Sequence, residues 1–266
     1  MTSHFQQQNT NHTIMIGAII GDIVGSRFEF HNHRSKEFDF FHRNCDFTDD
    51  TVMTVAVADA IIHHLPFGKV MHEYGRKYIG RGYGGRFYQW LMSDNPKPYN
   101  SFGNGSAMRV SPCALLAKGN REQALTWATA SAVCTHNHPE GVKGAMAITD
   151  CILMAEKRQS KEAIRQLAEE LYGYNMNFTI DQIRPRFGFY ETCQRTVPQA
   201  IECFLESNDF ESAIRIAISL GGDSDTLANI TGGIAEAYYG IPEDMRNKAL
   251  SMLPKEMVDI LSAMYQ

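Results

Sequence analysis

The chain has 266 residues, 44% of them hydrophobic and 21% charged, with a formal net charge of −5. That balance is ordinary for a globular protein with a sizeable core, and the negative sign argues against a nucleic-acid groove, which needs clustered Lys and Arg. Six cysteines, Cys45, Cys113, Cys134, Cys151, Cys193 and Cys203, form no CxxC and no regular framework, so they read as reduced, mostly buried thiols.

Residues 1–12 are polar and lack the apolar centre of a signal peptide, so they read as a flexible tail before a single domain over 13–266. The apolar stretch Ile14 to Val24 is interrupted by Asp22 and is too short to span a bilayer, which makes the cytoplasm the default location and leaves no membrane partner. A first helix is predicted over 14–26, with Gly17, Gly21 and Gly25 spaced by four. Glycine weakens a helix, so such a stripe predicts a second helix packed very close. A long polar and aromatic loop carries Glu29 and runs to Phe47, and loops of that length inside a compact domain are usually functional.

The next helix starts at Asp49-Asp50 and ends near His64; another covers about 69–79. Then come Gly80 to Arg86, a helix over 87–92, a Pro-containing loop to Tyr99, and Asn100-Ser101-Phe102-Gly103-Asn104-Gly105 leading to a helix over 110–117. Asn120 with Gln123 predicts a capping box for 121–134, Pro139 opens 139–158, and Ser160 caps a helix to Leu171. Pro198 is expected to start 198–206, Asn208 with Glu211 to cap 210–219, and Pro242 to occupy the first position of 242–252, before a last helix over 254–264. Alternating β-branched runs joined by tight turns are absent. The fold class is all-α, a single domain with its long loops gathered at one end.

Two acid clusters share one grammar. Thr48-Asp49-Asp50-Thr51 precedes the apolar run Val52 to Ile62, and Gly221-Gly222-Asp223-Ser224-Asp225-Thr226 precedes the small-residue run Leu227 to Tyr239. Acids at a helix start are favoured by the dipole and Thr48 is a good N-cap type, so a solvated, capped helix is one reading of the first cluster. Capping needs only one such group, however, and adjacent acids facing a core repel unless a cation lies between them. Carboxylates and hydroxyls suit Mg²⁺ or Mn²⁺ and not Zn²⁺. Two half-sites predict a pair of ions, roughly 3.5–4 Å apart in such centres.

These residues, together with Gly17 to Asp22, Glu29, Gly103 to Arg109 and Thr135 to Pro139, occur in the order of the ADP-ribosylglycohydrolase family, which the chain resembles from about residue 14 to 245. The resemblance implies an orthogonal multi-helix bundle with a dinuclear metal cleft, holding two Mg²⁺ or Mn²⁺. It implies hydrolysis of the bond between C1″ of ADP-ribose and an acceptor, with arginine on a protein as the leading acceptor. Serine, nucleobase and small-molecule ADP-ribose conjugates stay open, as does the oligomeric state. By the same resemblance, Thr48, Asp49, Asp50, Asp223, Asp225 and Thr226 are metal ligands and Glu29 and Asp225 handle protons. Asn100, Ser101, Phe102, Gly103, Asn104, Gly105, His136, Gly221 and Gly222 bind substrate. The glycines around Asn104 suggest a nest of backbone N–H groups for an anion.

Arg109 either balances phosphate charge or is a buried structural arginine paired to an acid. The triplets His31-Asn32-His33 and His136-Asn137-His138 spell HNH without the ββα unit of such nucleases, and for His138 a packing role before Pro139 is the simpler reading. Gly80 to Arg86 and Phe187 to Tyr190 are assigned to the acceptor side of the cleft, with Tyr83, Phe87 and Tyr190 as either stacking platforms or core. Two further readings are a different two-metal hydrolase acting on a phosphate, and a non-catalytic ADP-ribose binder or structural protein on the same fold.

Overall fold

The structure is a computed structural model and describes residues 16–264; the expected tail over 1–12 lies outside them. Among the described residues there is no strand. The helices are α1 (Gly17–Gly25), α2 (Asp49–Ile62), α3 (Phe67–Lys77), α4 (Gly85–Met92), α5 (Ser111–Leu116), α6 (Arg121–Val133) and α7 (Pro139–Glu156). They continue with α8 (Lys161–Glu170), α9 (Ile180–Ile183), α10 (Cys193–Leu205), α11 (Phe210–Leu220), α12 (Ser224–Tyr239), α13 (Glu243–Leu250) and α14 (Lys255–Ala263). No helix among them is long and apolar enough to cross a membrane.

α12 is the centre. It is buried from Ser224 to Glu236 and packs against α1, α11, α10 and α7. The glycine stripe explains how closely α1 sits on it. A Cβ at Gly17 would lie 2.5 Å from the carbonyl of Gly232, one at Gly21 only 2.0 Å from that of Ala228, and one at Gly25 2.5 Å from Cα of Asp225. Backbone meets backbone along the whole of α1, as the stripe predicts.

Two buried carboxylates finish the helix starts that this packing places inside the protein. Glu236 of α12 accepts the N–H of Gly17 at 2.6 Å and that of Ile16 at 3.1 Å. Asp22 of α1 does the same for α2, accepting the N–H groups of Thr48 at 2.9 Å and Thr51 at 3.0 Å and the hydroxyls of both threonines. The first N–H groups of a helix have no partner of their own, and an acid there also meets the positive end of the dipole.

α3 and α4 each begin two residues earlier than expected, and three other helix starts differ from expectation. α10 begins at Cys193 and holds Pro198 inside it. The turn before the proline is fixed by packing, since Cys193, Thr196 and Val197 are buried. The cap of α11 is Asp209 in a reciprocal box with Ser212, one residue later than the Asn208/Glu211 pair. Pro242 stands at the cap of α13 rather than at its first helical position. The short α9, with a Thr179/Gln182 capping box, carries too few residues to show a period and was not expected. Asn120 and Ser160 do cap α6 and α8, by accepting the N–H groups of Gln123 and Ala163.

Candidate active site

The helix starts of α2 and α12 face one another across a cavity of about 240 Å³. Its walls carry six carboxylates, Glu29, Asp49, Asp50, Glu191, Asp223 and Asp225, with Thr226 beside them. Asp50, Asp223, Asp225 and Thr226 are buried. The two clusters touch directly, because the Thr226 hydroxyl donates to Asp50 Oδ2 at 3.1 Å. Asp223 is aimed by Asn104, whose amide donates to Asp223 Oδ2 at 2.7 Å and to Thr196 Oγ1 at 3.1 Å.

Oxygens of Glu29, Asp223 and Asp225 lie within 4.8 Å of one another, and so do those of Asp22, Asp50 and Asp225. Asp225 belongs to both groups. Two carboxylate oxygens, Asp50 Oδ1 and Asp225 Oδ1, are buried with no hydrogen-bond partner. An unpaired buried carboxylate oxygen is costly, and two of them around one cavity fit a cation. The donors are carboxylates and hydroxyls without His or Cys, so the fit is to a hard ion such as Mg²⁺ or Mn²⁺. Asp22 contributes less to such a site, since both of its oxygens already accept from Thr48 and Thr51.

Electrostatics agree with the geometry. Burial first, then the charges of Asp223 and Asp22, push Glu29 up to about 7, while its contact with Asp225 works the other way. Burial and neighbouring carboxylates likewise hold Asp49, Asp50 and Asp225 well above the usual range. So many acids cannot all be charged at neutral pH without a cation among them.

The rest of the lining includes basic and aromatic groups, Arg86, Tyr99, Arg109 and His136. Arg109 is fully buried but is not paired to an acid. Its Nη2 donates to the Ser131 carbonyl at 2.7 Å and to Thr135 Oγ1 at 2.9 Å, while Nε and Nη1 have no partner. Thr135 Oγ1 lies 2.7 Å from His136 Nδ1. When that hydroxyl, which accepts from Arg109, gives its own proton to Nδ1, the His136 proton sits on Nε2. Burial, then Arg109 and Arg86, keeps the imidazole neutral. Nε2 sits over the Gly103 and Gly105 backbone, where a Cβ would come within 3.3 and 3.2 Å of it.

The substrate-binding residues named from the sequence divide. Ser101, Gly103, Asn104, Gly105 and His136 line the cavity; Asn100, Phe102, Gly221 and Gly222 stand outside its lining. Asn100 is exposed with φ of 54° and donates its N–H to Asn137 Oδ1 at 2.7 Å. Phe102 packs on His138, ring centroids 5.2 Å apart. Gly221 and Gly222, both at φ of 76°, shape the turn into α12; Gly222 donates to Asn32 Oδ1 at 2.8 Å and accepts from Asn32 Nδ2 at 3.0 Å. Asn32 and Asn137, the middle letters of the two triplets, are therefore pins between loops. The expected anion nest is partly filled by the fold itself, since the N–H of Gly103 goes to Ser101 Oγ and that of Asn104 to the Glu191 carbonyl. Tyr83 and Phe87 are buried and stacked on each other, 5.5 Å between centroids.

A family model described as ADP-ribosylglycohydrolase matches residues 10–264. The chain belongs to the ADP-ribosylglycohydrolase family. Among curated relatives, the human ADP-ribosylhydrolase ARH3 is 27% identical over 93% of this chain and 90% of its own length. The ADP-ribosyl-[dinitrogen reductase] glycohydrolase of Rhodospirillum rubrum is also 27% identical, over 90% and 88%. The ADP-ribosylarginine hydrolase Tri1 of Pseudomonas putida is 24% identical, over 85% and 70%. A solved structure titled as an ADP-ribosylglycohydrolase-related protein complex shares the fold, with a TM-score of 0.70, 24% identity and 95% coverage of both chains.

Sequence reasoning left two acids out of its site, Asp22, which adjoins Asp50 and Asp225, and Glu191, which lines the cavity. The first had a signal, a charge inside a glycine-striped apolar helix. Glu191 follows an aromatic loop with no spacing pattern around it and reaches the cavity only through tertiary packing.

Proposed function

We propose that the protein hydrolyses the bond between C1″ of ADP-ribose and its acceptor, with arginine on a protein as the acceptor. The observation that carries this reading is the pair of partnerless buried oxygens, Asp50 Oδ1 and Asp225 Oδ1, on two helix starts facing one cavity. Thr48, Asp49, Asp50, Asp223, Asp225 and Thr226, with Glu29, would hold two divalent ions. When bound, these supply Lewis acidity and a fixed grip on the ribose hydroxyls. The neutral His136 donates from Nε2 into the opposite end of the cavity, where the rest of ADP-ribose lies beside Arg86.

Breaking the C1″ bond develops positive charge on the ribose, which surrounding carboxylates stabilise. Glu29 and Asp225 manage the protons: one acid gives its proton to the departing nitrogen, and a carboxylate takes one from the water whose oxygen joins C1″. Glu29 lines the cavity beside Asp223 and Asp225, within reach of both a departing group and an attacking water.

The test is release of free ADP-ribose from arginine-ADP-ribosylated protein with Mg²⁺, with Mn²⁺ and with EDTA. Metal-dependent release, absent in Asp223→Ala/Asp225→Ala, is expected. Release that persists in EDTA, or in the double variant, would overturn the reading.

A further inference from the structure

Two phenylalanines on the loops that carry the cavity acids Glu29 and Glu191 are exposed. Phe30 directly follows Glu29 and is 76% exposed; Phe189 precedes Glu191 by two residues and is 43% exposed. Their rings stack on each other, with centroids 6.0 Å apart and an angle of 18° between planes. The loops that carry them are held independently. Asn32 fastens the first to Gly222, and the second is tied down by Arg34, whose Nη2 donates to the Phe187 carbonyl at 2.6 Å, and by the Glu191 carbonyl, which accepts from Asn104 N–H at 2.8 Å. Those anchors fix the backbone, so the stack is not needed to close the fold.

Each ring stands in the chain next to an acid that lines the cavity, Phe30 after Glu29 and Phe189 two residues before Glu191. Glu191 lines the cavity, is open to solvent and belongs to neither of the carboxylate groups able to hold a cation. An arginine joined to C1″ through its guanidine nitrogen presents a planar cation and then three methylenes, a charge for a carboxylate and an apolar stem for the rings. A serine linkage presents a neutral oxygen, a single methylene and then peptide backbone. It has neither the charge nor the stem that this acid and these rings would receive. At 6.0 Å the rings are too close to admit a group between them, since two van der Waals contacts need about 7 Å, so the stem would lie along their outer, exposed faces.

We propose that Glu191, Phe30 and Phe189 form the acceptor subsite, Glu191 facing the guanidinium and the two rings carrying its methylene stem, and that they set a preference for arginine-linked over serine-linked ADP-ribose. This rests on the hydrolase reading above. None of the three is part of the ion-holding set, so their removal acts on acceptor choice and not on the ADP-ribose end.

The experiment compares kcat and KM of the wild type, Glu191→Gln, Glu191→Asp, Phe30→Ala, Phe189→Ala and Phe189→Leu on arginine-linked and serine-linked ADP-ribosyl peptides, with ADP-ribose affinity measured by calorimetry in each. The expected result is a wild-type preference for the arginine linkage. Glu191→Gln and each Phe→Ala should lose about tenfold in kcat/KM on that linkage, mainly through KM, while Glu191→Asp and Phe189→Leu recover most of it and ADP-ribose Kd stays within twofold. A wild type that favours serine linkage overturns the subsite and leaves the hydrolase standing. An equal fall on both linkages, carried by kcat, also overturns it, because that is what a latch for the Glu29 loop would give. A wild type that binds ADP-ribose but cleaves neither linkage removes the hydrolase reading, and the subsite with it.

Discussion

His136 shows how single residues divide the cavity into two ends. Its Nδ1 meets the Thr135 hydroxyl that also accepts from the fully buried Arg109, and burial with that charge keeps the ring neutral. Removing the donor with His136→Ala should weaken ADP-ribose binding by about tenfold, the order of one hydrogen bond lost in a buried site. Thr135→Val should reproduce part of this loss by freeing the tautomer; calorimetry reads both, and an unchanged Kd in His136→Ala would remove the imidazole from the site. Asp22 works in the other direction, on the fold. It alone satisfies two N–H groups and two hydroxyls of α2, so Asp22→Ala should cost about 3–5 kcal/mol in urea unfolding. A loss under 1 kcal/mol would mean that water replaces it. At this scale, residues that repeat a short local pattern were readable from the chain. Thr48-Asp49-Asp50 and Asp223-Ser224-Asp225-Thr226 announce themselves, whereas Glu191 and the aim of Asn104 at Asp223 exist only through contacts between distant loops.

Among elements, the decisive fact is that α1 lies backbone to backbone on α12. This brings Asp22 beside Asp225 and carries the chain directly on to Glu29, so the distance between the helices also sets the spacing of the acid cluster. Gly21→Ala would drive a methyl to 2.0 Å from the Ala228 carbonyl, and we expect it to cost more than about 3 kcal/mol or prevent folding. Gly233, on the same α12, is the control. A Cβ there meets Ser111 Cβ at 3.4 Å and Ile152 Cδ1 at 3.6 Å, ordinary contacts, so Gly233→Ala should stay within about 1 kcal/mol, aided by the better helix propensity of alanine. Urea midpoints of the pair check this, and equal effects would contradict it. The close approach was legible because glycine at every fourth position has few other causes. The start of α10 was not, because a proline usually marks a beginning; here Cys193, Thr196 and Val197 gain enough from burial to add a turn in front of it.

Across the whole molecule, the acid cluster couples folding to pH and to divalent ions. Glu29 is raised to about 7 and Asp49, Asp50 and Asp225 are raised well above the ordinary range, so the folded state holds more protons than the unfolded chain once pH exceeds the unfolded carboxylate values near 4. Raised acids contribute stability that is present at low pH and is lost as pH rises through the folded values. Without metal, the melting temperature should therefore fall between pH 5.5 and 8. Ions need the deprotonated carboxylates, so their stabilisation grows over the same interval. At about a hundredfold excess over Kd an ion adds about 2.7 kcal/mol, which for a chain of this size corresponds to about 5 °C or more. Melting curves in EDTA and in Mg²⁺ at the two pH values therefore should diverge as pH rises, and the Asp223→Ala/Asp225→Ala variant should show a smaller fall and no rescue. Parallel curves would mean that the six acids are paired by something other than a cation, and the cavity would then have no reason to keep two carboxylate oxygens buried without partners.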